Sequence, residues 1–405
     1  PFYKDKEIKI FFYNLEKNES LEKEVAMFVG GCVRNFLQSK KIVDIDIATI
    51  FTPLEIKKKL KNTNFKVIDT GIDHGSVTVI LNDKKFELTT LRKDIKTDGR
   101  HAEVKLINDW EEDSKRRDFT INAIYLNKRG KIFDPQQGVN DLKNGVVKFI
   151  GDPNKRIRED YLRILRYIRF SIQYKNYEHD DETSKAIKVN LDGIAKLSKE
   201  RIYLELKKII KLKNFSDILK SKFLLDIFKL IFPEIKYLER IKDLSKLYSS
   251  KTIKLDQDII FSAILLDSSN NHEYFSHKYN VSNETKINLN LYAKLLKEID
   301  SNKNFFRKDL RKNIFYNGRE KIKSIFLIHN IINRKIITSK IFDFFKGVDE
   351  TSIPEFPIDG NYLLNHGIKS GKKIGELIKK FENQWIENDF NLDDEEIKTL
   401  IKKNI

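Results

Sequence analysis

The spacing of apolar residues changes once along this chain, and the change divides it. Up to about residue 150 the apolar residues come in short runs. "EVAMFVGG", "VDIDIAT", "SVTVIL", "KFELTTL" and "AIYLN" predict strands, with glycines and Asn/Asp pairs between them. From "NKRIREDYLRILRYIRF" onward, apolar positions recur at helical spacing almost to the end, and strand patterns nearly vanish. The prediction is an α+β chain, an α/β head followed by a long all-helical region. "GVDETSIPEFPIDGNYL", residues 347 to 363, holds two prolines and two glycines among polar residues and predicts a break before a short helical tail. No repeat of fixed period is visible.

Composition narrows the class. At 405 residues, 34% charged and 40% hydrophobic, the chain suits two to four soluble domains. No apolar run is long enough to span a bilayer, and no basic-then-apolar leader is visible. Cys32 is the sole cysteine, which excludes an intrachain disulfide and a cysteine-based zinc site and fits a reducing cytoplasm. The seven histidines are scattered, and His179-Asp180 reads as a solvated loop rather than a metal centre. Lys plus Arg number 77 against 60 Asp plus Glu, a net charge of +17. That excess suits a polyanionic partner, nucleic acid most simply, or equally a Lys-, Asn- and Ile-rich composition throughout.

The head carries an arrangement that composition does not explain. In a strand, side chains alternate faces, so Asp44 and Asp46 project from one face about 7 Å apart, with Ile45 and Ile47 facing a core. Two carboxylates this close repel unless a divalent cation lies between them. Oxygen ligands without His or Cys favour Mg²⁺, whose remaining ligands are water and substrate phosphates. A D-x-D alone is more often a polar strand with two exposed aspartates. The preceding "FVGGCVRNFL" changes the weighing, because it predicts strand, tight turn and helix. Gly30 and Gly31 permit close approach of the backbone to a phosphate at the helix start, and Arg34 stands one turn in. In "KFELTTLRKD", Glu87 is either a third carboxylate beside the pair or an exposed edge-strand residue. The Walker pattern G-x-x-x-x-G-K-[ST] is absent.

The ordered series "GGCVRN…DIDIAT", "TGIDHGSVTV", "FELTTLR", "RRDFTINAIY", "IREDYLRILRYIRF" and "SKERIYLELKKI" resembles the bacterial class II tRNA nucleotidyltransferase and poly(A) polymerase family. Its wording is most similar to the CCA-adding tRNA nucleotidyltransferases of alphaproteobacterial type. The likeness is close over residues 25 to about 210 and looser beyond, where "DGNYLLNHGIKSGKKIGELIKKFENQW" is similar to the family's tail. It implies a nucleotidyltransferase head with a mixed sheet (1–150), a helical neck (151–210), a helical body (211–345) and a tRNA-binding tail (346–405). It also implies that Asp44 and Asp46 bind catalytic Mg²⁺, with Gly30, Gly31 and Arg34 near the triphosphate of CTP or ATP. Arg117, Asp118 and Asn122 of "RRDFTINA" would hold the incoming nucleotide. Read from the residues alone, Asp118 either bonds a ribose 2′-hydroxyl or caps a helix, with Arg117 solvated. The family's usual Asp at the end of G-G-x-V-R-D is Asn35 here, which removes any ionic role at that position.

"IREDYLRILRYIRF" predicts one helix with Ile157, Tyr161, Ile164, Leu165 and Ile168 as its apolar stripe. Asp160 and Arg163, at i and i+3, meet on another face. Cytosine and adenine both present an exocyclic amine beside a ring-nitrogen acceptor, whereas uracil and guanine present a carbonyl beside an N–H. A fixed Asp–Arg pair therefore admits C and A and rejects U and G without a template; a surface ion pair is the plain alternative. The resemblance implies the selecting role, with Arg166 reaching phosphate. "SKERIYLELKKI" predicts a helix capped by Ser198, with Glu200, Arg201 and Glu205 bracing the neck against the head. Phe223, Phe228 and Phe232 predict core packing. In the tail, Lys369, Lys372 and Lys373 stand among Gly360, Gly367, Gly371 and Gly375, which suits either a grip on tRNA phosphates or a tightly packed helical turn.

The expected function is template-independent addition of CCA to tRNA 3′ ends from CTP and ATP, with release of pyrophosphate. A poly(A) polymerase, a CC-adding or A-adding enzyme, and a non-catalytic RNA-binding relative are the alternatives.

Overall fold

The computed structural model describes residues 1–20, 23–71, 75–97, 102–248, 253–368, 371–392 and 394–402. The chain groups into two compact units, Pro1–Lys242 with Phe275–Val281, and Asp243–Tyr274 with Ser282–Ile405.

Among its described residues the first unit holds nine strands: β1 (Ala26–Val29), β2 (Ile45–Thr49), β3 (Lys66–Gly71), β4 (Ser76–Leu81), β5 (Lys84–Thr90), β6 (Arg92–Thr97), β7 (Ala102–Leu106), β8 (Tyr125–Leu126) and β9 (Ile132–Phe133). Seven of them form one sheet in the order β3-β4-β5-β2-β1-β8-β9, and β6 and β7 pair separately. Only β2 and β5 run parallel in the larger sheet, so it is mixed. All five sequence-predicted strands are present. The four short or polar ones, β3, β6, β7 and β9, lack the apolar alternation that would have announced them.

The sheet's two faces have different tasks. In register, Ile45 pairs with Phe86 and Ile47 with Leu88, and these residues are buried together with Phe28. Helix α1 (Lys6–Glu16) covers this face. Asp5 caps it through Glu7 N (3.1 Å), and Ile8, Phe11, Phe12 and Leu15 form its buried stripe at helical spacing. Phe11 stacks on Phe86 at 4.7 Å and Phe12 packs against Phe28 at 5.1 Å. Each such ring contributes about 1.5–3 kcal/mol by leaving water. Asp46 and Glu87, opposite one another in the same register, lie on the other face.

The helices flanking the sheet are α2 (Gly31–Leu37), α3 (Pro53–Leu60), α4 (Trp110–Lys115) and α5 (Gly138–Asn144). From residue 153 onward the described secondary structure is helical. It begins with α6 (Pro153–Glu159), α7 (Leu162–Tyr174), α8 (Asp181–Val189) and α9 (Lys199–Ile210). The helix predicted across "IREDYLRILRYIRF" is therefore two helices. Asp160 ends α6 with φ −154° and ψ 104°, and its carboxylate accepts from Leu162 N (3.1 Å) at the start of α7. A short acidic side chain that satisfies a free helix-end N–H favours a break over continuation. Ile157, Ile164, Leu165 and Ile168 stay buried across it.

Ser198 caps α9 through Arg201 N (3.4 Å), as expected. The brace it carries ties helix to helix rather than helix to sheet: Arg201 pairs with Asp160 (2.8 Å) and Glu205 with Arg169 (2.5 Å). Phe228 and Phe232 are fully buried. His179 is not a solvated loop residue. Half-buried, it bonds Tyr167 Oη through Nδ1 (2.8 Å) and Ser221 Oγ through Nε2 (3.1 Å), while Asp180 caps α8.

In the second unit the helix Gln257–Leu265 is buried from Asp258 to Leu265. Asp258 accepts from Thr285 Oγ1 (3.0 Å) and Asn288 Nδ2 (2.7 Å), so its burial leaves no unmet acceptor. The helix Thr338–Glu350 is followed by residues 351–359, which carry no helix, inside the segment read as a break. Ile358, at the end of that stretch, joins Leu363, Leu377, Phe381 and Ile397 in an apolar cluster.

Candidate active site

The Gly-Gly turn and the strand carboxylate meet at one end of the sheet. Gly30 follows β1 with φ +72°, a left-handed conformation that glycine adopts without strain. A Cβ there would lie 3.5 Å from Asp46 Oδ2, and one on Gly31 would lie 3.9 Å from both Asp46 Oδ2 and Arg34 Nη2. The backbone turn thus leaves an open notch with a carboxylate and a guanidinium on its walls. Arg34 is fixed there by Tyr174 Oη, which accepts from its Nε (2.9 Å), and by Asn122 Oδ1, which accepts from Nη1.

Asp46 is half-buried, and burial raises its carboxyl above the usual carboxylate range, with Glu87 and then Asp44 adding to the shift; Arg117 and Arg34 oppose them. Among the described residues nothing donates a hydrogen bond to this carboxylate, nor do three His, Cys, Asp or Glu side chains converge as metal ligands. Asp44 departs from expectation, since β2 begins at Ile45. Asp44 is the exposed residue before the strand rather than a strand position. Glu87 faces Asp46 in register but is exposed, and it pairs with Lys85 at 2.5 Å.

"RRDFTINA" folds as the end of α4, an extended link, and a 3-10 turn over Thr120–Asn122. Asp118 caps no helix. It accepts from Phe119 N (2.9 Å), Asn122 Nδ2 (2.6 Å) and Arg166 Nε (2.6 Å). Burial alone would raise its carboxyl, but Arg166 and the Asn122 hydrogen bond hold it well below the ordinary range. One continuous network therefore runs Tyr174–Arg34–Asn122–Asp118–Arg166. Arg34, Arg166 and Arg169 also lie 5.1, 5.6 and 4.0 Å from the Phe170 ring centre, which gathers three guanidiniums around one aromatic.

Arg117 is not solvated. Asp113 Oδ2 accepts from its Nη2 (3.0 Å) and Tyr125 Oη from its Nε (3.0 Å), while Tyr125 donates to Asp113 (2.7 Å). Asp113 is fully buried, which would raise its carboxyl, yet Arg117 and Arg116 bring it down to about 2. Sequence reasoning missed Asp113 and Tyr125. The i, i+4 spacing of Asp113 and Arg117, at the end of α4 and just past it, was the available signal for the first; nothing in "AIYLN" marks the second.

The expected Asp160–Arg163 pair is not formed, because the helix breaks between them. Arg163 Nη1 donates to Glu159 Oε2 and to the Arg156 carbonyl, each at 2.6 Å, while Asp160 pairs with Arg201. Arg166, expected near phosphate, rests on Asp118. Asn35 donates Nδ2 to the Lys41 carbonyl (3.1 Å), a bond that the family's usual aspartate could not make. In the second unit, Lys372 and Lys373 are exposed on the first turn of the helix Lys372–Glu387, and Lys369 lies outside the described residues.

A mixed sheet that presents a Gly-Gly notch beside a strand carboxylate, followed by helices, is the construction of a nucleotidyltransferase head on a helical body. The family model for the poly A polymerase head domain matches residues 26–148. A second, for a probable RNA and SrmB-binding site of polymerase A, matches 176–238. The mitochondrial CCA tRNA nucleotidyltransferase 1 of Homo sapiens is 35% identical over 395 residues, 92% of this chain and 86% of that protein. The CCA-adding enzyme of Staphylococcus haemolyticus is 33% identical, covering 94% of each. Among solved structures, the Bacillus stearothermophilus CCA-adding enzyme in complex with CTP superposes with TM-score 0.71 at 22% identity, over 97% of this chain and 95% of that one. The Thermotoga maritima CCA-adding enzyme complexed with tRNA gives 0.63 at 20%, over 98% and 96%. The chain belongs to the family of CCA-adding tRNA nucleotidyltransferases and poly(A) polymerases.

Proposed function

We propose that this chain adds CCA to tRNA 3′ ends without a template, using CTP and ATP and releasing pyrophosphate. The RNA 3′-oxygen bonds to the α-phosphorus, the bond from that phosphorus to the bridging oxygen breaks, and the hydroxyl proton passes to solvent. The observation that carries the reading is the notch at Gly30–Gly31, with Asp46 and Arg34 on its walls. A crowded carboxylate that receives no hydrogen bond fits a hard divalent cation, so Asp44 and Asp46 would hold Mg²⁺ together with substrate phosphates. When bound, that ion activates the attacking hydroxyl and neutralises charge on the leaving phosphates. Gly31 lets the triphosphate approach the backbone, Arg34 and Arg117 offset its charge, and the Asp118–Asn122 unit orients the sugar. The remaining rate enhancement is positioning and electrostatics.

Base selection falls to Asp160 and Arg163, each held separately. Arg163 spends one of its nitrogens on Glu159 and the Arg156 carbonyl, and Asp160 accepts one bond on each oxygen. A guanidinium has five donors and a carboxylate about four acceptor sites, so both groups retain capacity for a base edge. They are fixed without being saturated. Exposed Lys372 and Lys373, with Lys369, would grip the tRNA backbone. We place the activity in the cytoplasm, in keeping with one buried, unpaired cysteine; no helix among the described residues is long and apolar enough to cross a membrane.

Pyrophosphate release from a tRNA transcript lacking CCA tests the reading. It should occur with CTP, then ATP, and not with UTP or GTP, and Asp46→Asn should abolish it while tRNA binding persists. Wild-type turnover in Asp46→Asn would refute the site, and no release by the wild type would refute the enzyme.

A further inference from the structure

Lys85 is a charge placed where the proposed chemistry needs none. It stands two residues before Glu87 on β5, so both side chains project from one face of the sheet, the face of Asp46. Its ammonium pairs with Glu87 Oε1 at 2.5 Å, and both side chains remain about half-exposed, at 55% and 51%. Asp44 and Asp46 also act on it: after Glu87 itself, these two carboxylates raise its pKa further. Lys85 therefore neutralises the exposed Glu87, the carboxylate that stands opposite Asp46 in register. The two cations that oppose the shift at Asp46 are tied elsewhere, Arg34 to Tyr174 and Asn122, and Arg117 to Asp113 and Tyr125. Lys84, its neighbour, points to the opposite face and pairs with Asp5 and Glu7.

We propose that Lys85 is an internal counter-cation that competes with the divalent ion at Asp44 and Asp46, and so sets how tightly the nucleotide-free site binds metal. The inference rests on the reading that these two aspartates hold the ion. A flexible, half-hydrated ammonium offsets the repulsion between Asp46 and Glu87 in the empty site. It can rotate into solvent when a divalent cation arrives, because its stem is not packed into the core. The free enzyme then keeps a weakened affinity for metal, and firm binding awaits the phosphates that complete the ligand set. Lys85 is a positioning and tuning residue; it touches neither substrate nor reacting atoms.

The test is direct Mn²⁺ binding to the full chain without nucleotide or tRNA, followed by loss of the free-ion electron paramagnetic resonance signal. Lys85→Met should bind Mn²⁺ about two- to fivefold more tightly than the wild type at low ionic strength, the range for one exposed ion pair. The gain should shrink as salt screens the site. Lys85→Arg, which keeps the charge, should match the wild type. Asp46→Asn separates the two layers of the argument. If it loses binding while Lys85→Met is unchanged or weaker, the counter-cation role is overturned and the metal site survives. If Asp46→Asn binds as the wild type does, or the wild type binds no Mn²⁺, the underlying reading fails and this one fails with it.

Discussion

Gly193 is the position where a single methyl group tests the geometry of base selection. It lies in the 3-10 turn Leu191–Lys196, and a Cβ there would fall 2.0 Å from Cδ1 and Cε1 of Tyr161. Carbon atoms rest near 3.5–4.0 Å, so Gly193→Ala forces the ring or the turn to move by roughly 1.5 Å. Overpacking of this kind costs about 1–3 kcal/mol. At about 2–4 °C per kcal/mol for a unit of this size, the melting temperature should fall by roughly 2–12 °C. Tyr161 directly follows Asp160, whose carboxylate is set by Leu162 N and Arg201. Displacement on this scale should therefore reduce discrimination of CTP and ATP against UTP and GTP by about tenfold or more. Calorimetry and single-nucleotide extension assays read the two effects. Removing the ring relieves the clash, so Gly193→Ala introduced into Tyr161→Ala should cost less than about 0.5 kcal/mol. An unchanged melting temperature, or an equal cost in both backgrounds, would refute the reasoning.

Asp113→Asn removes the charge that holds Arg117, and should destabilise by about 3–5 kcal/mol while raising the KM for nucleotide more than that for tRNA. Asp113 also fixes a pH dependence. Its folded carboxyl sits at about 2, below the ordinary value near 3.9, so its stabilisation is present above about pH 4 and is lost as pH falls toward 2. The wild type should lose stability through that window more steeply than Asp113→Asn in acid-unfolding curves. Lys372→Glu with Lys373→Glu should raise the KM for tRNA, leave that for nucleotide unchanged, and make tRNA binding less salt-dependent by a slope of about one per lysine; an equal change in both KM values would count against a tRNA grip.

The head was legible because its strands alternate or run apolar between glycines, and because a charged pair in an apolar run demands an explanation. The helical region was legible from spacing alone. What the sequence did not convey was partner choice. Asp160 and Arg163 stand at i and i+3, yet local capping of Leu162 by Asp160 ends the helix and sends each side chain to a different partner. Arg166 was read toward phosphate but rests on Asp118, a residue 48 positions away in sequence. Tyr125 was read as a strand residue, and its hydroxyl closes the Asp113–Arg117 contact. Spacing reports which face a residue occupies within one element. It does not report what the next element brings against that face. The Asn35 departure, opaque in sequence, has a plain local reason in its donation to the Lys41 carbonyl.

The proposed function requires this site, by itself, to select C, C and A in order and then stop. The most direct measurement is the mass of a tRNA transcript ending at the discriminator base after incubation with the protein, Mg²⁺ and all four nucleotides together. A single product extended by C, C and A is expected. An unbounded run of A, a stop after two C's, or incorporation of U or G would contradict it.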